Sequence, residues 1–156
     1  MLRVKKLDPR AKLPEVAHEG DLGYDLFALE DGVLDAYGTN LIRTGIAAQA
    51  FKISTFRASD NSSVERVGYV SLGLLIRDRS SMAGRRITVS GGVIDAGYTG
   101  EIIVRLTNGS GLRYDIDAGD KIAQMIPLPV LTGKVVEVEE LDKSSRGDAG
   151  FGSTGK

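Results

Sequence analysis

Two aspartates, Asp21 and Asp25, flank a glycine turn in GDLGYDLFA (20–28), just ahead of an apolar run. Asp25 could hold Mg2+, a hard cation that takes one or two carboxylates plus waters and substrate phosphates. It could equally tie a turn through its own backbone. In RDRSSMAGR (77–85), Arg79, Ser80 and Ser81 stand where a strand gives way to a helical turn. Main-chain N–H groups and hydroxyls there can meet an anion, or Ser80 or Ser81 can simply cap the turn. In GGVIDAGYTGE (91–101), Gly92 permits close backbone approach to a ligand. Asp95 follows Val93 and Ile94, and partial desolvation there would suit it to act as a base. Tyr98 could present its ring to a sugar or base. Read structurally, the segment is a hairpin with a turn aspartate and a packed tyrosine. Gln124 interrupts the apolar strand of AGDKIAQMI (118–126), facing either solvent or a site.

The chain ends in RGDAGFGSTGK (146–156), rich in the residue that costs most backbone entropy to order. A frayed terminus would account for the glycines. It would not account for Phe151, nor for Arg146, Ser153 and Thr154, whose side chains bind phosphate oxygens. Such a tail suits a segment that orders over a flat, phosphorylated ligand.

The elements that must position these groups are strands. LRVKKL (2–7), EIIVRLTN (101–108) and KVVEVEE (134–140) alternate apolar and polar residues, with Ile102, Val104 and Leu106 on one face of the second. YDLFAL, NLIRTGIA, VGYVSLGLLI, ITVSGG and KIAQMIPLPV read as further strands. Turn signals EDG, NGSG and DAGD separate strands at the short intervals of an all-β sandwich or barrel. SSMAGR (80–85) alone invites a helical turn. Residues 57–66 read as a polar hairpin tip or insertion, and the stretch from Asp142 onward as a flexible arm.

At 156 residues the chain is one domain, long enough for a real core. Charged residues make up 26% of it but balance to a net charge of −1, which argues against a nucleic-acid or membrane-surface binder. With no cysteine and only His18, disulfides and thiolate metal sites are excluded and a histidine zinc site is disfavoured. No run is of signal-peptide or bilayer-spanning type, so a cytoplasmic protein is expected.

Taken in order, the glycine-aspartate turn, Arg-Ser-Ser segment, GVID hairpin, GDKIAQ strand and RGxxGFGSTG tail resemble the five motifs of the trimeric dUTP pyrophosphatases (dUTPases). The resemblance runs from residue 20 to the C-terminus. It implies a jelly-roll-like β domain over 1–142 and a mobile arm over 143–156 that closes over the active site. It also implies a homotrimer with shared active sites that hydrolyses dUTP to dUMP and pyrophosphate, limiting uracil in DNA and supplying dUMP for thymidylate synthesis.

By the same resemblance, Asp25 holds Mg2+ through water and Asp95 deprotonates the attacking water. Tyr98 packs against the deoxyribose and excludes a 2′-hydroxyl. The hairpin backbone at Gly92, Val93 and Ile94 reads uracil. Arg79, Ser80, Ser81 and Gln124 meet the triphosphate. In the arm, Arg146 grips the γ-phosphate, Phe151 covers the uracil, and Gly152, Ser153 and Thr154 complete the closure.

Three residues depart from the family pattern. Asp78 stands where many relatives carry proline or a small residue, and would repel a triphosphate unless Arg77 or Arg79 pairs with it. Thr99 and Lys121 replace frequent arginines. The stretch between Gln49 and Tyr69 is long for the family. The sister family of dCTP deaminases shares several of these segments, but carries a catalytic glutamate at the position of Arg105, which cannot accept a proton. A non-catalytic nucleotide sensor on the same fold is the third reading.

Overall fold

The computed structural model describes residues 1–57, 65–129, 135–140 and 142. Its elements in chain order are β1 (Leu2–Lys6), β2 (Tyr24–Phe27), β3 (Gly32–Leu34), β4 (Thr39–Arg43), β5 (Ile46–Arg57) and β6 (Glu65–Arg77). There follow α1 (Ser80–Ala83), β7 (Ile87–Ser90), β8 (Val93–Ile94), β9 (Ile103–Asn108), β10 (Tyr114–Ile116) and β11 (Lys121–Leu128). The largest sheet runs β1-β5-β6-β11-β2, with β8 added to β6. A second runs β4-β9-β7, and β10 pairs β3 in a small ribbon. Every pairing is antiparallel. The all-β, jelly-roll-like expectation holds.

The core lies between the sheets and follows from the alternation. On β9 and the residue before it, Ile102, Val104 and Leu106 are buried while Ile103 and Arg105 are exposed. They pack with Leu26, Leu34, Ile46, Ile76, Ile87, Ile116, Ile122 and Met125. Buried Asn108 is the polar knot of this layer. Its amide donates to the carbonyls of Leu34, Asp35 and Leu112, and its oxygen accepts from Ser110, so the NGSG turn is tied to β3.

Several expectations need correction. NLIRTGIA is two strands in two sheets, because the chain turns at Gly45 with φ +68°. A Cβ there would sit 2.9 Å from both Ala11 and Leu29, so only glycine fits the corner. Residues 57, 65 and 66 belong to strands, since the β5–β6 ladder continues to Arg57 opposite Glu65. The tip between them lies outside the described residues.

KVVEVEE forms no strand in its described part. Val135, Val136 and Val138 are exposed, and an alternating segment becomes a strand only when an edge offers it a ladder. The helical turn is present, but its N-cap is Arg79, in extended conformation and with no side-chain cap bond, rather than a serine. The short β3 and β10 were too brief to read from alternation. Arg146, Phe151, Gly152, Ser153 and Thr154, with the whole expected arm, lie outside the described residues.

Candidate active site

Strand register and the corner after β6 bring four of the expected residues together. On β11, Gln124 lies opposite Asp25 of β2 on one side and Arg77 of β6 on the other. Two residues beyond Arg77 the chain turns into α1, which carries Arg79 and Ser80 back over the same strand ends. Asp25, Arg79, Ser80 and Gln124 therefore line one cleft of about 340 Å3, with Asp21, His18, Leu22, Gly23 and Ala17 on its walls.

Charge is arranged closely there. Asp25 is 7% exposed. Arg79 Nε donates to its Oδ1 at 2.8 Å, and Arg79 Nη1 reaches the Lys121 carbonyl at 3.3 Å. Lys121 Nζ lies 2.9 Å from Oδ2 of Asp25 and 2.7 Å from Oε1 of Glu15. The carboxylates of Glu15 first and Asp25 second hold the Lys121 ammonium charged above its ordinary range. Oδ2 is buried, with the Lys121 ammonium as its ion-pair partner. A buried carboxylate is tolerable only when paired in this way.

The departure at Lys121 thus keeps a cation against Asp25. Glu15, its second partner, was missed because nothing local in LPEVA links it to a residue so distant in sequence. Gln124 donates from Nε2 to the Asp78 carbonyl at 2.8 Å. A Cβ on Gly23 would sit 2.6 Å from Gln124 Oε1, so the glycine makes room for that amide.

Ser81 lies instead in a neighbouring recess with Met82, Arg85, Tyr114 and Lys121, its hydroxyl 3.4 Å from Arg79 Nη1. Asp78 pairs with neither Arg77 nor Arg79 among the described contacts. Its Oδ1 accepts the Val89 N–H instead, turning the carboxylate toward the main chain of β7. Thr99 and Arg105 are both exposed.

The hairpin is built differently. Ile76 N–H donates to the Gly92 carbonyl at 2.7 Å, and a Cβ on Gly92 would fall 2.2 Å from the Ile76 carbonyl oxygen, so glycine is obligatory. Val93 and Ile94 then pair with Leu75 and Leu74. Tyr98 N–H closes the turn on the Asp95 carbonyl, and its ring, anchored by Oη to the Glu101 carbonyl, lies over Gly100. Val93 is 74% and Tyr98 44% exposed, and Asp95 is exposed too. The partial desolvation expected of Asp95 is therefore not seen, because no element among the described residues covers the hairpin.

Neither Asp95 nor Tyr98 lines the Asp25–Arg79 cleft. Antiparallel pairing carries Asp95 past Ile94 toward the level of Gly73, four residues of strand or about 13 Å from Arg77.

The described residues contain no group of three acidic or histidine side chains fit to cage a metal. What they offer a cation is the Asp25 carboxylate at the cleft, whose Oδ2 carries only the Lys121 ion pair. That donor set suits Mg2+ held through water and shared with substrate phosphates, rather than an all-protein site.

Comparison with known proteins agrees with this geometry. Residues 66–155 match the dUTPase family profile. Over 99% of the chain and 96% of the relative, the protein is 40% identical to the deoxyuridine 5′-triphosphate nucleotidohydrolase of Alkaliphilus metalliredigens. Among solved structures, a mutant dUTPase of Staphylococcus bacteriophage 80alpha with dUpNHpp superposes at TM-score 0.80 and 26% identity, covering 100% of this chain and 99% of that one. A mutant dUTPase of phage phi11 of S. aureus, described with a structural Mg(II) ion, superposes at 0.70 and 25% identity, over 90% and 97% of the two chains. Full-length identity of this order, a profile match from the Arg-Ser-Ser region into the tail, and a shared antiparallel fold make the chain a member of the dUTPase family.

Proposed function

We propose that the protein hydrolyses dUTP to dUMP and pyrophosphate, withholding dUTP from DNA synthesis and supplying dUMP for thymidylate. The observation that carries the reading is the convergence of Asp25, Arg79, Ser80 and Gln124 on one cleft in a chain of this family. Phosphoanhydride hydrolysis needs charge neutralisation and an aligned water more than covalent catalysis, and neither cysteine nor a histidine base. Arg79, already oriented by Asp25, offers its remaining N–H groups to phosphate oxygens, with the Ser80 hydroxyl and the second Gln124 N–H beside it. Mg2+, held at Asp25 through water, would supply charge neutralisation on the triphosphate.

Asp95 takes the proton of the attacking water, whose oxygen bonds to phosphorus as the anhydride bond to pyrophosphate breaks. Tyr98 excludes the 2′-hydroxyl, and the main chain at Gly92, Val93 and Ile94 reads the uracil edge. Ser81, Arg146, Phe151, Gly152, Ser153 and Thr154 complete the phosphate and base contacts on closure of the arm. The distance between cleft and hairpin on one chain supports a homotrimer whose sites are shared, one chain's hairpin meeting another's cleft.

No described helix is long and apolar enough to cross a membrane, and the balanced charge supports a cytoplasmic enzyme with no nucleic-acid partner. A pyrophosphate-release assay with dUTP, UTP and dCTP, with and without Mg2+, tests the proposal. Release from dUTP alone, dependent on Mg2+, is expected. Ammonia from dCTP would instead assign the deaminase chemistry.

A further inference from the structure

Asp78 is a charged residue beside the cleft that the proposed reaction leaves without a task, and two hydrogen bonds give it one. It is the first residue after β6, and with Arg79 it makes the corner that leads into α1. Its Oδ1 accepts the Val89 N–H at 2.5 Å and its main-chain carbonyl accepts Gln124 Nε2 at 2.8 Å. The corner is therefore fastened on one side to the three-stranded sheet and on the other to the large sheet.

Each fastening has a reason. β7 is the end strand of its sheet, so the Val89 N–H points away from β9 and, being partly buried, needs a partner. Gln124 spends one amide hydrogen on the corner and keeps the other for a ligand. Arg79, the corner's second residue, is extended and makes no side-chain cap; its guanidinium reaches out to Asp25 and the Lys121 carbonyl, so among the described residues Asp78 alone ties the corner to β7.

We infer that Asp78 is a positioning residue for phosphate recognition: its carboxylate works as a hydrogen-bond acceptor that sets where Arg79, Ser80 and Gln124 meet the triphosphate. The inference rests on the dUTPase reading. It reverses the simpler expectation that a carboxylate here repels the substrate.

The two roles separate on Asp78→Asn and Asp78→Ala. Asparagine keeps an acceptor for Val89 and loses the charge, whereas alanine loses both. For an acceptor, D78N keeps the wild-type kcat and KM for Mg·dUTP, while D78A raises KM about tenfold and lowers kcat by less than about threefold. Amide hydrogen exchange gives an activity-independent readout. The Val89 amide stays protected in D78N and loses protection in D78A, with β9 amides unchanged.

Tighter dUTP binding by D78N would show that the carboxylate acts through charge, and would overturn the proposal. So would an unchanged KM in D78A, or a D78N variant as impaired as D78A. If D78A does not fold, D78N decides alone: wild-type KM with a protected Val89 amide supports the role, and a raised KM ends it. A wild-type protein that leaves dUTP intact would defeat the functional reading instead, while the Val89 exchange still reports on the staple.

Discussion

In the proposed reaction the cleft and the hairpin answer the same substrate in opposite ways. Around Asp25, every strong group is already engaged: Arg79 and Lys121 on the carboxylate, Gln124 on the corner carbonyl, Asp78 on β7. From Gly91 to Gly100, main-chain ties, the packing of Ile94 and one tyrosine hydroxyl fix the loop, and Asp95 is exposed. A phosphate chain carries dense charge, and a site preorganised for it avoids reorganising charges during the reaction. A base acting on water gains most once water is otherwise excluded, and in the proposed reading that exclusion comes from another chain and from the arm. Buried and cross-tied on one side, exposed and waiting on the other, the chain reads as two complementary halves of a site.

The widest gap between the halves should show at Asp95. Asp95→Asn leaves the amide in the shape of the carboxylate and touches no described side-chain contact. Turnover should fall on the order of 10²–10⁴-fold with melting temperature unchanged. Near-wild-type turnover would remove Asp95 from the chemistry. Mixing this variant with Arg79→Gln chains sharpens the point. If hairpin and cleft come from different chains of a ring of three, random assembly revives one site in three in three-quarters of the rings, roughly a quarter of wild-type activity. No recovery after verified mixing would mean that each chain completes its own site.

Asp25 should behave in the reverse manner, with a structural cost as well as a functional one. Asp25→Ala leaves Arg79 and Lys121 facing each other without their shared anion. Both keep about a third of their side-chain surface in water (28% and 33%), which softens the penalty. A loss of roughly 2–3 kcal/mol in denaturant unfolding is expected, below the fully buried limit. An unchanged unfolding midpoint would show that the ion-pair cluster is dispensable to the fold.

Much of this contrast was legible in sequence, and its limits are instructive. Alternation located β1 and β9 because each turns one face inward, and a period of two survives any tertiary context. The break at Gly45 was not legible, since its cause is the approach of Ala11 and Leu29 from elsewhere in the chain. The strand expected over 134–140 shows the converse: pattern states a willingness to pair and cannot supply the partner. Within the site, the types and order of Asp25, Arg79, Ser80, Gln124, Asp95 and Tyr98 were readable. Their division into two places was not, because it follows from the register of Ile94 against Leu74. Nor could sequence say where the Asp78 carboxylate points.

Tyr98 lies on the exposed half, and among the described residues its ring is held by its hydroxyl and by Gly100. Tyr98→Ala should leave phosphate binding nearly intact while lowering the ratio of kcat/KM for dUTP over UTP by about tenfold. A 2′-hydroxyl adds little bulk, so only a ring in contact with the sugar can reject it strongly. An unchanged ratio would place the discrimination elsewhere on the hairpin.

Gly23 offers the smallest expected effect and the finest probe of the cleft's order. An alanine Cβ there would fall 2.6 Å from Gln124 Oε1, 3.0 Å from its Cβ and 3.2 Å from its Cδ. Because three atoms along the side chain are crowded, a rotation of the amide alone cannot relieve the contact. The side chain must swing, and the bond from Nε2 to the Asp78 carbonyl lengthens or breaks. Asp25 keeps both its cationic partners, so the fold should lose less than about 1 kcal/mol. KM for dUTP should rise about threefold with kcat held, since only the orientation of one neutral donor changes. Combined with Asp78→Ala, which disturbs the same corner, the second substitution should add less than it does alone. Full additivity would show that Gly23 and Asp78 act on the substrate through separate routes.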